Sequence, residues 1–122
     1  MRAAILLVAM SAVMTAWLPA AANAECEPFN RKYLEVQALE ARLGRETARV
    51  TAMKPLPKTD DVLCDAAYAF MTHANFLWRM PEPTCFQNKA QMDDFAARLH
   101  KAAEGAWQLM QVSCSDAKMG RR

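Results

Sequence analysis

The stretch that decides the fold is Pro55–Pro83, PLPKTDDVLCDAAYAFMTHANFLWRMPEP. A Pro-x-Pro pair stands at each end, Pro55-Leu56-Pro57 and Pro81-Glu82-Pro83. Proline has no amide proton to donate and restricts the residue before it, so helices stop at both pairs. Between them lie mostly good helix formers. Thr59-Asp60-Asp61 opens the segment as a capping group whose negative charge suits a helix N-terminus. Leu63, Ala67, Phe70, Ala74 and Leu77 then recur at helical spacing. At about 100° per residue, Cys64, Tyr68, Met71 and Trp78 flank that stripe on one side. Val62, Ala66, Ala69, His73, Phe76 and Met80 flank it on the other. An apolar arc this wide suits a helix with a neighbour on each side, and the spacing predicts one over residues 60–80.

The two neighbours lie outward along the chain. On the N-terminal side, Phe29, Val36, Leu43 and Val50 fall seven apart, with Leu39 and Met53 between them. They form a narrow seam in a predicted helix over 30–53, whose other faces carry Glu35, Glu40, Arg42, Arg45 and Arg49. On the C-terminal side, Met92, Phe95, Leu99, Ala102, Ala106 and Leu109 step by three and four, and Trp107 and Met110 widen the face. This helix is expected over 86–112. Thr84-Cys85-Phe86-Gln87 fits a capping box at its start, and Asn88-Lys89-Ala90-Gln91 offers a second start one turn later. Short connections make consecutive helices antiparallel, so the expected architecture is an all-α, up-down-up three-helix bundle.

Four cysteines, Cys26, Cys64, Cys85 and Cys114, permit three pairings. Disulfide-bonded Cα atoms lie within about 7 Å, whereas a twenty-residue helix separates its ends by about 30 Å. Cys64–Cys85 and Cys85–Cys114 would each span the two ends of one helix. Cys26–Cys64 and Cys26–Cys114 would join opposite ends of the bundle. Only Cys26–Cys85 with Cys64–Cys114 remains, one bridge per end. Each closes a loop of about fifty residues or more, to which the chain-entropy model assigns about 4 kcal/mol. The pairing turns Cys64 toward the third helix, with Tyr68, Met71 and Trp78 on that side. His73, Phe76 and Met80 then face the first helix or solvent.

The N-terminus reads as an export signal. Arg2 is followed by an uncharged apolar run, Ala3–Leu18, then by Pro19 and the small-residue site Ala22-Asn23-Ala24. Cleavage after Ala24 leaves a single helical domain over 25–122 with no stable membrane anchor. Charged Glu25 before Cys26 argues against lipid attachment there. Periplasmic or secreted localisation is expected, where disulfides persist.

Charge narrows the function. Without Arg2, fourteen Lys and Arg stand against thirteen Asp and Glu, and no basic cluster supports nucleic-acid binding. No nucleophile motif surrounds His73 or His100, so no catalytic residue and no cofactor are assigned. Asp60-Asp61 and Asp93-Asp94 lie near helix starts, where capping accounts for them. The methionines raise a copper or zinc alternative through His73 and Met80, since thioether sulfur suits Cu(I). Met71 and His73 point about 200° apart on a helix, however, and His73 and Met80 are two turns apart. The most suggestive piece is His73–Pro83, HANFLWRMPEP. Phe76, Trp78, Arg79 and Met80, with Phe86 brought near by the Cys26–Cys85 bridge, are the candidate partner-binding residues, of types enriched at interfaces. The alternative is that these residues close the core. The expected function is binding of a protein partner without catalysis, with metal binding or a structural, stress-related role as alternatives.

Overall fold

The computed structural model describes residues 24–80 and 82–120; the expected export signal over 1–24 falls almost wholly outside the described residues. Three long helices and one short one follow in order: α1 (Glu27–Thr51), α2 (Asp61–Arg79), α3 (Lys89–Ser113) and α4 (Asp116–Gly120). Single 3-10 turns over Ala24–Cys26 and Pro83–Cys85 precede α1 and α3. Among the described residues there is no strand. The chain is an all-α small bundle with the disulfides Cys26–Cys85 and Cys64–Cys114, at Cα separations of 5.4 and 4.9 Å.

The central helix is α2, packed on both α1 and α3, most extensively on α3. Ala66, Ala67 and Ala74 of α2 and Ala102, Ala103 and Ala106 of α3 are all buried. Methyl side chains let two backbones approach closely, which accounts for the tighter of the two packings. Its start is the one the sequence marks: Asp60 is the N-cap, and its carboxylate accepts the Leu63 amide at 2.9 Å. Asp60 also ties the lower end together. Its amide donates to the Ser113 carbonyl at 2.8 Å, and its carboxylate accepts from Arg49 of α1 at 2.6 Å. The Arg49 guanidinium and the Leu63 amide hold this carboxyl below the usual carboxylate range.

A lowered folded-state pKa contributes stability that is present above the unfolded value and lost as pH falls through the folded one. Asp60→Ala is therefore expected to lower stability by about 1 kcal/mol at pH 7, the usual effect of losing a cap, with the deficit shrinking in acid. Asp60→Asn keeps the cap and is expected to lose less. Urea melts at pH 7 and pH 3 check both.

Several boundaries differ from the sequence expectation, each for a local reason. The helix α3 starts at Lys89, not at Thr84: the Asn88 side chain accepts the Gln91 amide at 2.8 Å, and the Gln91 side chain accepts the Gln87 amide at 2.7 Å. Phe86 is extended, because the chain must deliver Cys85 to Cys26 and turn Phe86 inward before a helix can begin. The helix α1 begins earlier, with Pro28 in its first turn, and ends at Thr51, leaving Met53 exposed in the loop before Pro55. The short α4 is an addition to the three expected helices. Lys118 holds it to α2 through Asp65 at 2.9 Å, and Met119 packs on the core.

The seam of α1 is wider than its apolar residues suggest. Tyr33, Glu40 and Thr47 occupy the alternate steps between Phe29, Val36, Leu43 and Val50, completing a four-three repeat. Tyr33 and Thr47 are buried, and the Thr47 hydroxyl donates to the Leu43 carbonyl at 2.8 Å. Glu40 is half-buried, and its Oε2 is shielded from solvent without a hydrogen-bond partner. Desolvation pushes its carboxyl up from 4.5 to about 7. Burial and the nearby Glu40 raise the Tyr33 phenol as well.

Candidate functional site

The Cys26–Cys85 bridge brings the first turn of α1 beside the last turn of α2, and a groove of about 310 Å³ opens between them. Its base is laid by core residues. Phe29 and Leu77 are buried, and Phe29 belongs to an aromatic cluster with Tyr33, Phe86 and Phe95. Ring centroids in that cluster are 5.3 to 5.8 Å apart, within the favourable range for tilted and edge-on pairs. The walls are different. Phe76 and Met80 are 56 % and 63 % exposed, although both belong to types that normally seek the interior. Pro28 adds to the apolar lining.

Charged groups surround this apolar lining. Lys32 of α1 places its ammonium 5.4 Å from the Phe76 ring centroid, a cation–π contact. The same ammonium lies 2.7 Å from His73 Nδ1 and 3.6 Å from Glu35 Oε2. An ammonium has only protons to give, so in this contact Nδ1 accepts and the imidazole proton sits on Nε2. When the ring is protonated, Nδ1 instead has Glu35 Oε1 at 3.1 Å to donate to. Lys32, His73 and Glu35 thus form one tethered cluster along the side of the groove. Exposed Glu25 and Glu82 line the groove near the disulfide, one on each side of the bridge in the chain.

The five residues singled out in the sequence do not form one surface. Phe76 and Met80 line the groove on the α1 side. Trp78 turns toward α3, as the Cys64–Cys114 pairing requires. Its ring centroid is 4.2 Å from that of His100, and its indole N–H donates to Asn75 Oδ1 at 2.7 Å. Arg79 is exposed and sits 5.4 Å from the Trp78 ring centroid. Phe86 is only 7 % exposed and belongs to the core cluster, so it is removed from any contact surface. Of the suggested metal pair, His73 Nδ1 is engaged by Lys32 and Met80 lines the groove; among the described residues no group of three or more His, Cys, Asp or Glu side chains is placed to hold an ion.

Sequence reasoning missed the α1 half of the groove: Glu25, Pro28 and Lys32. A signal was present. Once Cys26 is paired with Cys85, residues 25–32 and 76–82 must be neighbours, and their side chains can be read as one surface. No family model matches the chain, and comparisons with curated proteins and with solved structures returned no match.

Proposed function

We propose that the protein is an exported, non-catalytic binding module whose contact surface is the groove beside the Cys26–Cys85 bridge. One observation carries the reading. Phe76 and Met80 expose apolar surface to water, side by side, on a wall held in place by a disulfide and an aromatic base. Exposed apolar area is unfavourable by roughly 25 cal/mol per Å², and grouped exposure rimmed by charge is the pattern of an interaction site. Two disulfides in a small domain suit an oxidising compartment, which supports export. Among the described residues no helix is long and apolar enough to cross a membrane.

The test is a selection of displayed random peptides against the oxidised protein, repeated with the double variant Phe76→Ser/Met80→Ser. Exposed positions away from core features usually change stability by within about 0.5 kcal/mol, so the variant is expected to melt within about 3 °C of the wild type. It is expected to lose the selected binders. Binders that survive the double substitution would overturn the reading, as would a drop in melting temperature typical of core residues.

A further inference from the structure

We infer that His73 is a proton-operated switch beside the groove: its neutral ring holds the Lys32 ammonium against Phe76, and its protonated ring exchanges that ammonium for the Glu35 carboxylate and lets Lys32 swing away. The inference goes beyond the binding reading above, since it concerns the wall of the groove and holds whatever the groove binds.

The switch rests on one lone pair. A neutral imidazole has one N–H and one bare nitrogen. His73 Nδ1 lies 2.7 Å from the Lys32 ammonium, which can only donate, so Nδ1 is the bare nitrogen and Nε2 carries the proton. A further proton can add only at Nδ1. Protonation of the ring and its hydrogen bond from Lys32 therefore exclude each other. With the proton in place, two positive charges would stand 2.7 Å apart. At the effective dielectric of a protein surface their repulsion is several times the attraction of an ammonium to an exposed ring face, so Phe76 at 5.4 Å does not retain Lys32. The new Nδ1–H finds an acceptor already placed, because Glu35 Oε1 is 3.1 Å away. In the neutral arrangement the other oxygen of the same carboxylate lies 3.6 Å from Lys32.

The exchange alters the groove because Lys32 is part of its lining. Its side chain is only 26 % exposed, low for a residue type that keeps its charged head in water. Lys32 and Phe76 line the groove together, so releasing the ammonium leaves Phe76 and Met80 as an apolar pair with no cation over the ring. The charged groups in contact with the His73 ring are Lys32 and Glu35, both from α1. Further along α1, Glu40 stands five residues beyond Glu35, with a carboxyl that desolvation raises to about 7. Arg31 is paired with Glu27. Glu25 and Glu82 line the groove, and cleavage after Ala24 would add an α-ammonium to Glu25. On α2 itself, Asp65 is paired with Lys118, and Arg79 lies over Trp78. From α3, His100 pairs with Glu104 and packs on Trp78, on the flank of α2 turned away from α1.

The test is nuclear magnetic resonance of the full oxidised protein, isotopically labelled, between pH 8 and pH 5, the range over which histidine side chains change charge. At pH 8 the His73 nitrogen shifts should show Nδ1 bare and Nε2 protonated, and a nuclear Overhauser cross-peak should join the Lys32 ε-methylene to the Phe76 ring. At pH 5 both nitrogens should carry protons and the cross-peak should be lost, with one midpoint for the two changes. His73→Asn keeps an acceptor near the place of Nδ1 and takes up no proton, so its cross-peak should persist at pH 5. Glu40→Gln removes the other group that titrates near neutrality and should behave as the wild type does. A proton on Nδ1 at pH 8, or a wild-type cross-peak that survives at pH 5, overturns the inference. So does loss of the cross-peak on acidification of His73→Asn, or its retention in Glu40→Gln, since either puts the controlling proton elsewhere. None of these readouts involves a bound partner, so failure of the switch leaves the binding reading standing.

Discussion

Replacing Cys26 and Cys85 together with alanine is expected to lower the unfolding free energy by about 4 kcal/mol. The bridge joins residues 59 apart in sequence, and opening it restores that loop's freedom to the unfolded chain. A domain of this size has a total stability of about 5–15 kcal/mol, so the variant should be folded only marginally, and the matching loss of Cys64–Cys114, whose ends are 50 apart, should have a similar effect. The two ends nevertheless differ in what remains. At the lower end, Asp60 still binds Ser113 and Arg49, and Lys118 still holds Asp65. At the upper end the start of α1 is held against α2 and α3 by packing around Phe29, Phe86 and Phe95, while the Lys32–His73–Glu35 cluster lies further along α1 than the turn that Cys26 tethers. Opening Cys26–Cys85 should therefore also disperse the groove and remove peptide binding under conditions where the variant is still folded, whereas Cys64→Ala/Cys114→Ala should retain it. Urea unfolding gives the first quantity and fluorescence anisotropy of a selected peptide the second. A loss below 1 kcal/mol from either pair would show that the unfolded chain is already constrained without that bridge.

The second large effect concerns Glu40. Its folded-state carboxyl is raised from 4.5 to about 7, with desolvation as the cause. A raised folded pKa means that the stabilising state is the protonated one. Its contribution is full below the unfolded value and is lost as pH rises through the folded value. At 1.36 kcal/mol per pH unit the displacement corresponds to at most about 3 kcal/mol, and solvent screening of a half-buried side chain reduces this to about 2. Stability is thus expected to fall by about 2 kcal/mol between pH 4.5 and pH 8. Below that window the Asp60 contribution is lost, so the maximum should lie on the acidic side of neutrality. Glu40→Gln should flatten the decline, and Glu40→Leu should raise stability at pH 8 by about 2 kcal/mol, since it replaces an unpartnered buried oxygen by an apolar group of similar size. Urea midpoints measured at intervals from pH 4 to pH 9 for the three proteins decide it. A wild-type curve parallel to that of Glu40→Gln would show that the carboxylate finds water in the folded state.

Glu40 also shows where sequence reading stops. The seam of α1 was legible through Phe29, Val36, Leu43 and Val50, because apolar side chains announce burial. The intervening steps hold Tyr33, Glu40 and Thr47, and a polar residue announces nothing about the face it occupies. Burial of Thr47 becomes evident only with the Leu43 carbonyl that satisfies it. The start of α3 was ambiguous for a related reason: Thr84 and Asn88 both fit a cap, and only the demand on Cys85 and Phe86 chooses between them. The candidate surface was legible in part. The stripe through Phe70, Ala74 and Leu77 leaves Phe76 and Met80 off the core face, which the register of one helix suffices to show. Phe86 lies outside any long helix, so no periodicity describes it, and its place in the core follows from its tether to Cys85.

What the sequence by itself determined is the set of rods and their joints. Prolines end the helices, Asp60 caps one of them, and the rigidity of helices about 30 Å long leaves a single pairing of four cysteines. These are local or nearly one-dimensional constraints, so they can be read along the chain. What only the tertiary structure decided is which side chains from distant segments share a space. Glu25, Lys32, Phe76 and Glu82 line one groove, Trp78 leaves it for His100, and one carboxylate oxygen of Glu40 is shielded without a partner. Each of these depends on the rotation and depth at which one rod meets another, and close packing of whole side chains sets those quantities, not the pattern along any one helix.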